Sequence, residues 1–199
     1  AEVPAAIQQK AANFICHESK RLEALSERLM ELMRLNGTEP PALEPVQLSA
    51  IFHQVLRALP AEEPTLSVAA SSFTVQAQPE LLCDLLYNLV QNARHATPPD
   101  GQITLEATEQ GEAVTLAVRD TGCGIPAEDL ERITEPFYMV DKSRARQQGG
   151  SGIGLALCAR IAALHGTRLQ FESTPGKGTA VRFTLRKACL LYTSPSPRD

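Results

Sequence analysis

Asn88 and Asn92 stand four residues apart in the run Tyr87-Asn88-Leu89-Val90-Gln91-Asn92-Ala93, a spacing that places both carboxamides on one face of a helix. An amide oxygen is a neutral, hard donor suited to Mg²⁺, which prefers octahedral oxygen coordination shared with nucleotide phosphates and waters. The pair also reads as two polar residues on a solvated face. Further on, Asp120-Thr121-Gly122-Cys123-Gly124-Ile125-Pro126 closes an alternating apolar run. Its glycines let the backbone turn sharply and leave room for a flat ligand, and an aspartate there would accept a hydrogen bond from an exocyclic amine. A glycine-rich turn with a capping aspartate is the alternative. Gly149-Gly150-Ser151-Gly152-Ile153-Gly154-Leu155 opens an apolar helical run. Free N–H groups at a helix start hold anions, phosphate first among them; a flexible hinge before a buried helix fits the same residues. No Gly-Lys-Ser/Thr follows, and the G-x-G-x-G spacing is not G-x-G-x-x-G, so neither a P-loop nor a dinucleotide fold is indicated.

These residues need elements to carry them. Pro79 opens a helix through Leu81, Leu82, Leu85, Leu86, Leu89 and Val90 to about Ala96, with Pro98-Pro99 beyond its end. Two alternating runs, Gln102 to Ala107 and Ala113 to Arg119, read as an antiparallel pair hinged at Gln110-Gly111. Leu48 to Leu59 reads as a helix, Leu66 to Ala69 and Phe73 to Ala77 as short strands, Ala127 to Ile133 as a short helix, and Gly152 to about Leu164 as a helix. Leu169 to Glu172 and Ala180 to Leu185 complete the strands. Upstream, Ile15, Leu22, Leu25, Leu29 and Leu32 recur at helical steps between Phe14 and Leu35, an amphipathic helix with a bundle-like seam. Asn36-Gly37 stops it, and Pro40-Pro41 and Pro45 make a stiff connector. The expected fold is α+β, a two-layer sandwich with a mixed, largely antiparallel sheet, preceded by one helix. The expected domains are a dimerisation helix over 1–36, a linker over 37–45 and a ligand-binding domain over 46–187. The segment 188–199 differs abruptly in composition and is expected to be a non-native, disordered tail.

The 199 residues are 43% hydrophobic with a net charge of -4, enough apolar content for a core and no basic footprint for nucleic acid. The five cysteines are scattered, without CxxC spacing, which points to free thiols in a reducing cytoplasm. No apolar run is long enough to span a bilayer. A first residue other than methionine suggests a fragment, whose parent could be anchored in the inner or plasma membrane.

Taken together and in order, these motifs resemble the GHKL ATPase superfamily of gyrases, certain chaperones and sensor histidine kinases, and among these the histidine kinases. Asn88 to Ala93 is similar to their N box, Asp120 to Pro126 to the G1 box, Glu135-Pro136-Phe137-Tyr138 to the F box and Gly150 to Leu155 to the G2 box, while Gly176-Lys177-Gly178-Thr179 is similar to the family's last turn. The resemblance implies an ATP- and Mg²⁺-binding kinase. In it Asn92 holds the metal, Asn88 serves the phosphate side, Asp120 reads the adenine amine and Thr179 supports the same site. Gly122, Gly124, Ile125 and Leu155 line the pocket. By position alone His95 reads as an ordinary helix residue, and its place one turn past Asn92 also lets it approach the nucleotide. Phe137 anchors a mobile lid over 138–150 with Gly150, Gly152 and Gly154 as its hinge; on the lid Lys142, Arg144 and Arg146 would neutralise developing charge. Asn88, Lys142 and Arg144 are therefore the catalytic candidates.

Chaperone- and gyrase-like relatives carry a general-base glutamate where this chain has Asn88, so the resemblance implies transfer to a protein side chain over water activation. The implied partners are an acceptor-histidine helix, a response-regulator receiver domain and a second copy of the chain. His17-Glu18 resembles the phospho-acceptor motif, yet Ser19-Lys20-Arg21-Leu22 follows without the expected proline. The first helix is thus expected to be the second of the dimerisation hairpin, the acceptor lying on another segment. A serine kinase of the anti-sigma type is one alternative, against which the leading helix argues. A dimerising module that binds nucleotide without turnover is the other, against which the intact boxes argue.

Overall fold

The computed structural model describes residues 4–59, 64–69, 72–140 and 151–188. Helix α1 (Ala5–Asn36) is followed by strand β1 (Glu44–Gln47), helix α2 (Leu48–Ala58), strands β2 (Thr65–Val68) and β3 (Thr74–Ala77), and helix α3 (Pro79–Ala96). The chain continues through β4 (Gln102–Gln110), β5 (Ala113–Asp120), a 3₁₀ turn (Ala127–Asp129), helix α4 (Gly154–Leu164), β6 (Gln170–Thr174) and β7 (Gly178–Arg186).

The main sheet has the order β2-β4-β5-β7-β6. β2 runs parallel to β4 and every other pairing is antiparallel, so the sheet is mixed and largely antiparallel, as the alternating runs imply. Alternation decides which face is covered. Ile103 and Leu105, Val114, Leu116 and Val118, and Phe183 and Leu185 are buried, whereas the intervening Thr104, Thr115 and Thr184 are not. Against this face lie Leu82, Leu86, Leu89 and Val90 of α3 and Leu157 and Ile161 of α4, all within one core. α3 begins with Pro79 at its start, and the Gln78 side chain accepts from Leu81 N at 2.6 Å, a cap for one of the free first-turn donors. At the far end of α4 the His165 ring accepts from Gln78 N at 3.1 Å through Nε2. Its Nδ1 therefore donates to Ile161 O at 2.9 Å.

Four elements differ from the sequence expectation. Pro45 marks β1 as connector in the sequence, but it pairs antiparallel with β3, Val46 opposite Val75. It has a partner on one side only, and an edge strand tolerates a missing N–H. The helix expected over Ala127 to Ile133 is a 3₁₀ turn followed by isolated turns, Arg132 N and Ile133 N both reaching Asp129 O; so short and charged a segment cannot meet the cost of helix nucleation. Helix α4 starts at Gly154, not Gly152, because Gly152 has a φ of 69°. Helix α1 starts at Ala5, directly after Pro4, where proline favours a helix start and no breaker follows.

The C-terminal part of α1 belongs to the core: Leu32 and Leu35 are buried, with Leu25 and Leu29 packed beside them. Arg160 of α4 donates to Leu35 O at 2.9 Å and to Thr38 O at 3.1 Å, satisfying carbonyls that a helix end leaves open. By contrast Ile7, Phe14, Ile15, Leu22, Met30 and Met33 are exposed. Past β7, Ala188 is buried and donates to Thr74 O at 2.8 Å. No helix among the described residues is long and apolar enough to cross a membrane.

Candidate nucleotide site

A cavity of about 500 Å³ opens between α3, the turn after β5 and the start of α4. One end is defined by Asp120. Its Oδ1 accepts from Gly122 N at 2.8 Å and from Thr179 N at 3.3 Å, which fixes the carboxylate and leaves Oδ2 without a hydrogen bond among the described residues. Burial pushes its pKa up, while the two N–H contacts pull against that shift. Around it the walls are apolar, with Leu89, Ala93, Val118, Ile133 and Phe171. One fixed acceptor in such walls suits a flat heteroaromatic ring with an exocyclic amine.

The turns that build this end are locked to each other. Ser173 Oγ accepts from Ile125 N at 2.8 Å and donates toward Gly178 O at 3.0 Å, with Thr179 Oγ1 2.8 Å away. Gly176 N donates to Cys123 O at 2.8 Å, and Cys123 N to Ala96 O at 3.1 Å. Gly178 has a φ of 104°, and a Cβ there would overlap Asp120 O. The glycine is thus what lets the β6–β7 turn close on the aspartate.

The other end is made of nitrogen and amide groups. Asn88 and Asn92 both line it, and a Cβ on Gly154 would sit 3.6–3.8 Å from their amide atoms, so α4 begins directly against the pair. Asn88 Nδ2 is spent on Asp84 O at 2.9 Å. Asn92 Nδ2 is buried with no partner, a state that costs about 1–3 kcal/mol unless a ligand relieves it. Helix α4 has no side-chain cap at Ile153, and its first residues Gly154 and Leu155 line the cavity, so its first-turn N–H groups lack a side-chain partner beside it. His95 stands at the rim, its pKa lowered first by desolvation and then by the charges of Arg28 and Arg94.

Of the residues singled out in the sequence, Asn88, Asn92, His95, Asp120, Gly124, Ile125, Gly152, Gly154, Leu155 and Thr179 line this one cavity. Two do not. Gly122 is buried against Ala96 O and acts on the site through its N–H. Phe137 is 53% exposed; its side chain is outside the cavity, but its backbone has a φ of 67° and its N donates to Gly152 O at 2.9 Å, which ties the start of the 138–150 segment to its end. Lys142, Arg144, Arg146 and Gly150 lie outside the described residues, as do 189–199. Gln91 and Tyr138, which stand inside the N and F boxes but carry no individual role in the sequence, also line the cavity, and Arg28 and Ser173 were not singled out at all. Ser173 had a signal in its place two residues before the Pro175-Gly176 turn; Arg28, far upstream on α1, had none.

A fold of this topology around such a cavity is that of an ATPase of the Bergerat type. A family model for histidine kinase-, DNA gyrase B- and HSP90-like ATPases matches residues 77–188, and the chain belongs to that family. It is 33% identical over 191 residues to the sensor-like histidine kinase SenX3 of Mycolicibacterium smegmatis, covering 93% of this chain and 49% of that protein. It is 35% identical over 188 residues to the sensor protein CreC of Escherichia coli, covering 92% of this chain and 39% of the other. The chain thus spans about half or less of the curated relatives it matches. Among solved structures, full-length ShkA in complex with AMPPNP superposes with a TM-score of 0.73 at 24% identity, over 94% of this chain and 41% of that one. Histidine kinase ThkA in complex with the response regulator TrrA gives 0.69 at 23%, over 94% and 53%.

Proposed function

We propose that this chain is the catalytic part of a two-component sensor histidine kinase, binding ATP with Mg²⁺ and passing the γ-phosphoryl group to a histidine on a separate dimerisation segment. The observation that carries the reading is the polarity of one cavity: a fixed acceptor, Asp120 Oδ2, between apolar walls at one end, and unpartnered donors at the other. An adenine ring fits the first end and a triphosphate the second. The relatives' names and the AMPPNP bound to ShkA support it.

The donor set also fits the metal. Among the described residues no cluster of histidine, cysteine or carboxylate groups could hold an ion alone, so Mg²⁺ would arrive on the phosphates and take Asn92 as a protein ligand. It would screen the phosphate oxygens as charge shifts to the leaving ADP. Asp120 is the one carboxylate among the described residues lining the cavity. It lies at the adenine end, so among the described residues no carboxylate stands at the phosphate end to activate water, which favours a side-chain acceptor. In the transfer an imidazole nitrogen bonds to the γ-phosphorus, the bond to the β–γ bridging oxygen breaks and ADP leaves. The response regulator would then take the phosphoryl group, a partner supported by the ThkA–TrrA complex. We take residues 1–36 as a dimerisation helix, and its exposed Phe14, Ile15 and Leu22 support a helical partner, a second copy of the chain.

Calorimetric ATP titration with and without Mg²⁺ on the chain and on Asp120→Ala tests the site; transfer of ³²P from ATP to an added acceptor-helix hairpin tests the reaction. Magnesium-dependent binding lost in the variant, with acid-labile label on the hairpin, is the expected result. Binding with release of inorganic phosphate but no label would overturn the kinase reading in favour of an ATPase.

A further inference from the structure

Helix α1 brings to the cavity a cation that neither the asparagine pair nor the glycine turns provide. Arg28 lies on the same stripe as Leu25, Leu32 and Leu35, which pack on the core, and it lines the cavity beside Asn88, Gln91, Asn92 and His95. Its side chain is half-buried. Arg21, two turns earlier on α1, is paired with Glu18 at 3.2 Å; Arg28 makes no hydrogen bond or ion pair with any described residue. A guanidinium held partly out of water with its donors unused is unfavourable unless an anion meets it. The same volume is faced by the buried, unpartnered Asn92 Nδ2 and by the uncapped start of α4. Three donor groups from three helices converge there, beside the amide oxygens of Asn88 and Asn92 and with the Glu31 carboxylate one turn along α1 from Arg28.

We propose that Arg28 is a phosphate ligand of the bound nucleotide, delivered by α1 to the terminal phosphates. The proposal rests on the ATP reading above and deepens it, because the nucleotide site is then complete only when α1 is docked. A planar guanidinium suits the bidentate recognition of phosphate oxygens. Its contribution should therefore grow with the number of phosphates and leave the adenine end untouched.

The test is calorimetric binding of Mg·ATP, Mg·ADP and AMP to the whole chain and to Arg28→Gln and Arg28→Lys, with the thermal midpoint of each. Arg28→Gln should bind ATP about tenfold more weakly, the loss of one charge-assisted contact. ADP should lose less, AMP nothing, and the midpoint should hold. Arg28→Lys keeps the charge and loses the fork, so it should fall between the two for ATP and match wild type for AMP, which decides the matter even if the glutamine variant folds poorly. Equal losses for all three nucleotides, or none for ATP, would overturn the proposal alone. A wild-type chain that binds no nucleotide would overturn the ATP reading itself, before any variant is measured.

Discussion

Asp120 shows how a single residue is given a role by its neighbours. Two backbone N–H groups hold one oxygen, and burial raises the pKa above the ordinary 3.8. The native state therefore keeps this proton to a higher pH than the unfolded chain does. Its contribution to stability is fullest below the unfolded value and is lost as pH rises through the raised native one. Ligand binding has the opposite sign, because an amine needs the unprotonated oxygen. Wild-type affinity for ATP should fall on acidification at a higher pH than an ordinary aspartate would produce. Asp120→Asn should bind about tenfold more weakly near neutrality and lack this component, so the ratio of the two affinities, measured by calorimetry across the acid range, isolates it from protonation of ATP itself. A ratio that stays flat down to the ordinary aspartate range would remove Asp120 from the recognition of adenine.

Turns, more than strands, set the precision of the site, and their glycines are separable by experiment. Gly176 and Gly178 both have positive φ in the same β6–β7 turn. A Cβ on Gly176 meets nothing within 4 Å, whereas one on Gly178 overlaps Asp120 O. Gly176→Ala should cost about 1 kcal/mol, the left-handed penalty alone. Gly178→Ala should cost several times more and weaken ATP binding, since the aspartate must move; chemical denaturation with parallel ATP titration checks both. This contrast also marks what the sequence can tell. α3, β4, β5 and β7 were legible because an apolar period of 3.6 or 2 is a local property, and the boxes were legible because glycine and asparagine are informative at fixed spacing. β1 was not, because Pro45 is a breaker unless its strand is an edge, which is a fact of topology. The helix expected over Ala127 to Ile133 fails because so short and charged a segment does not meet the cost of nucleation even with Leu130 and Ile133 on one face, and α4 begins two residues later than its pattern suggests because Gly152 is spent on a left-handed turn beside Phe137. Arg28 was invisible for a different reason: its approach to Asn92 depends on how α1 packs across α4, and nothing local to residue 28 records that.

At the scale of the molecule, the helix and the nucleotide cavity are joined by two contacts of different kinds. Arg160 fastens the end of α1 through Leu35 O and Thr38 O, while Arg28 reaches the cavity from the same helix. If the bound phosphates favour the docked helix, linkage requires the docked helix to favour the phosphates by the same factor. Arg160→Ala removes the fastening without touching the cavity, whose lining does not include it. It should raise amide exchange around Leu35 to Thr38 and weaken ATP binding, and the loss should be smaller when Arg28 is already glutamine, because the variants then share one mechanism and do not add. Saturating ATP should in turn slow exchange at the same amides in the wild-type chain, and do so less in Arg28→Gln. Hydrogen exchange followed by mass spectrometry, with and without ATP, measures both directions. Additive losses in the double variant, or exchange at Leu35 to Thr38 indifferent to ATP, would mean that the helix and the nucleotide share a wall but no free energy.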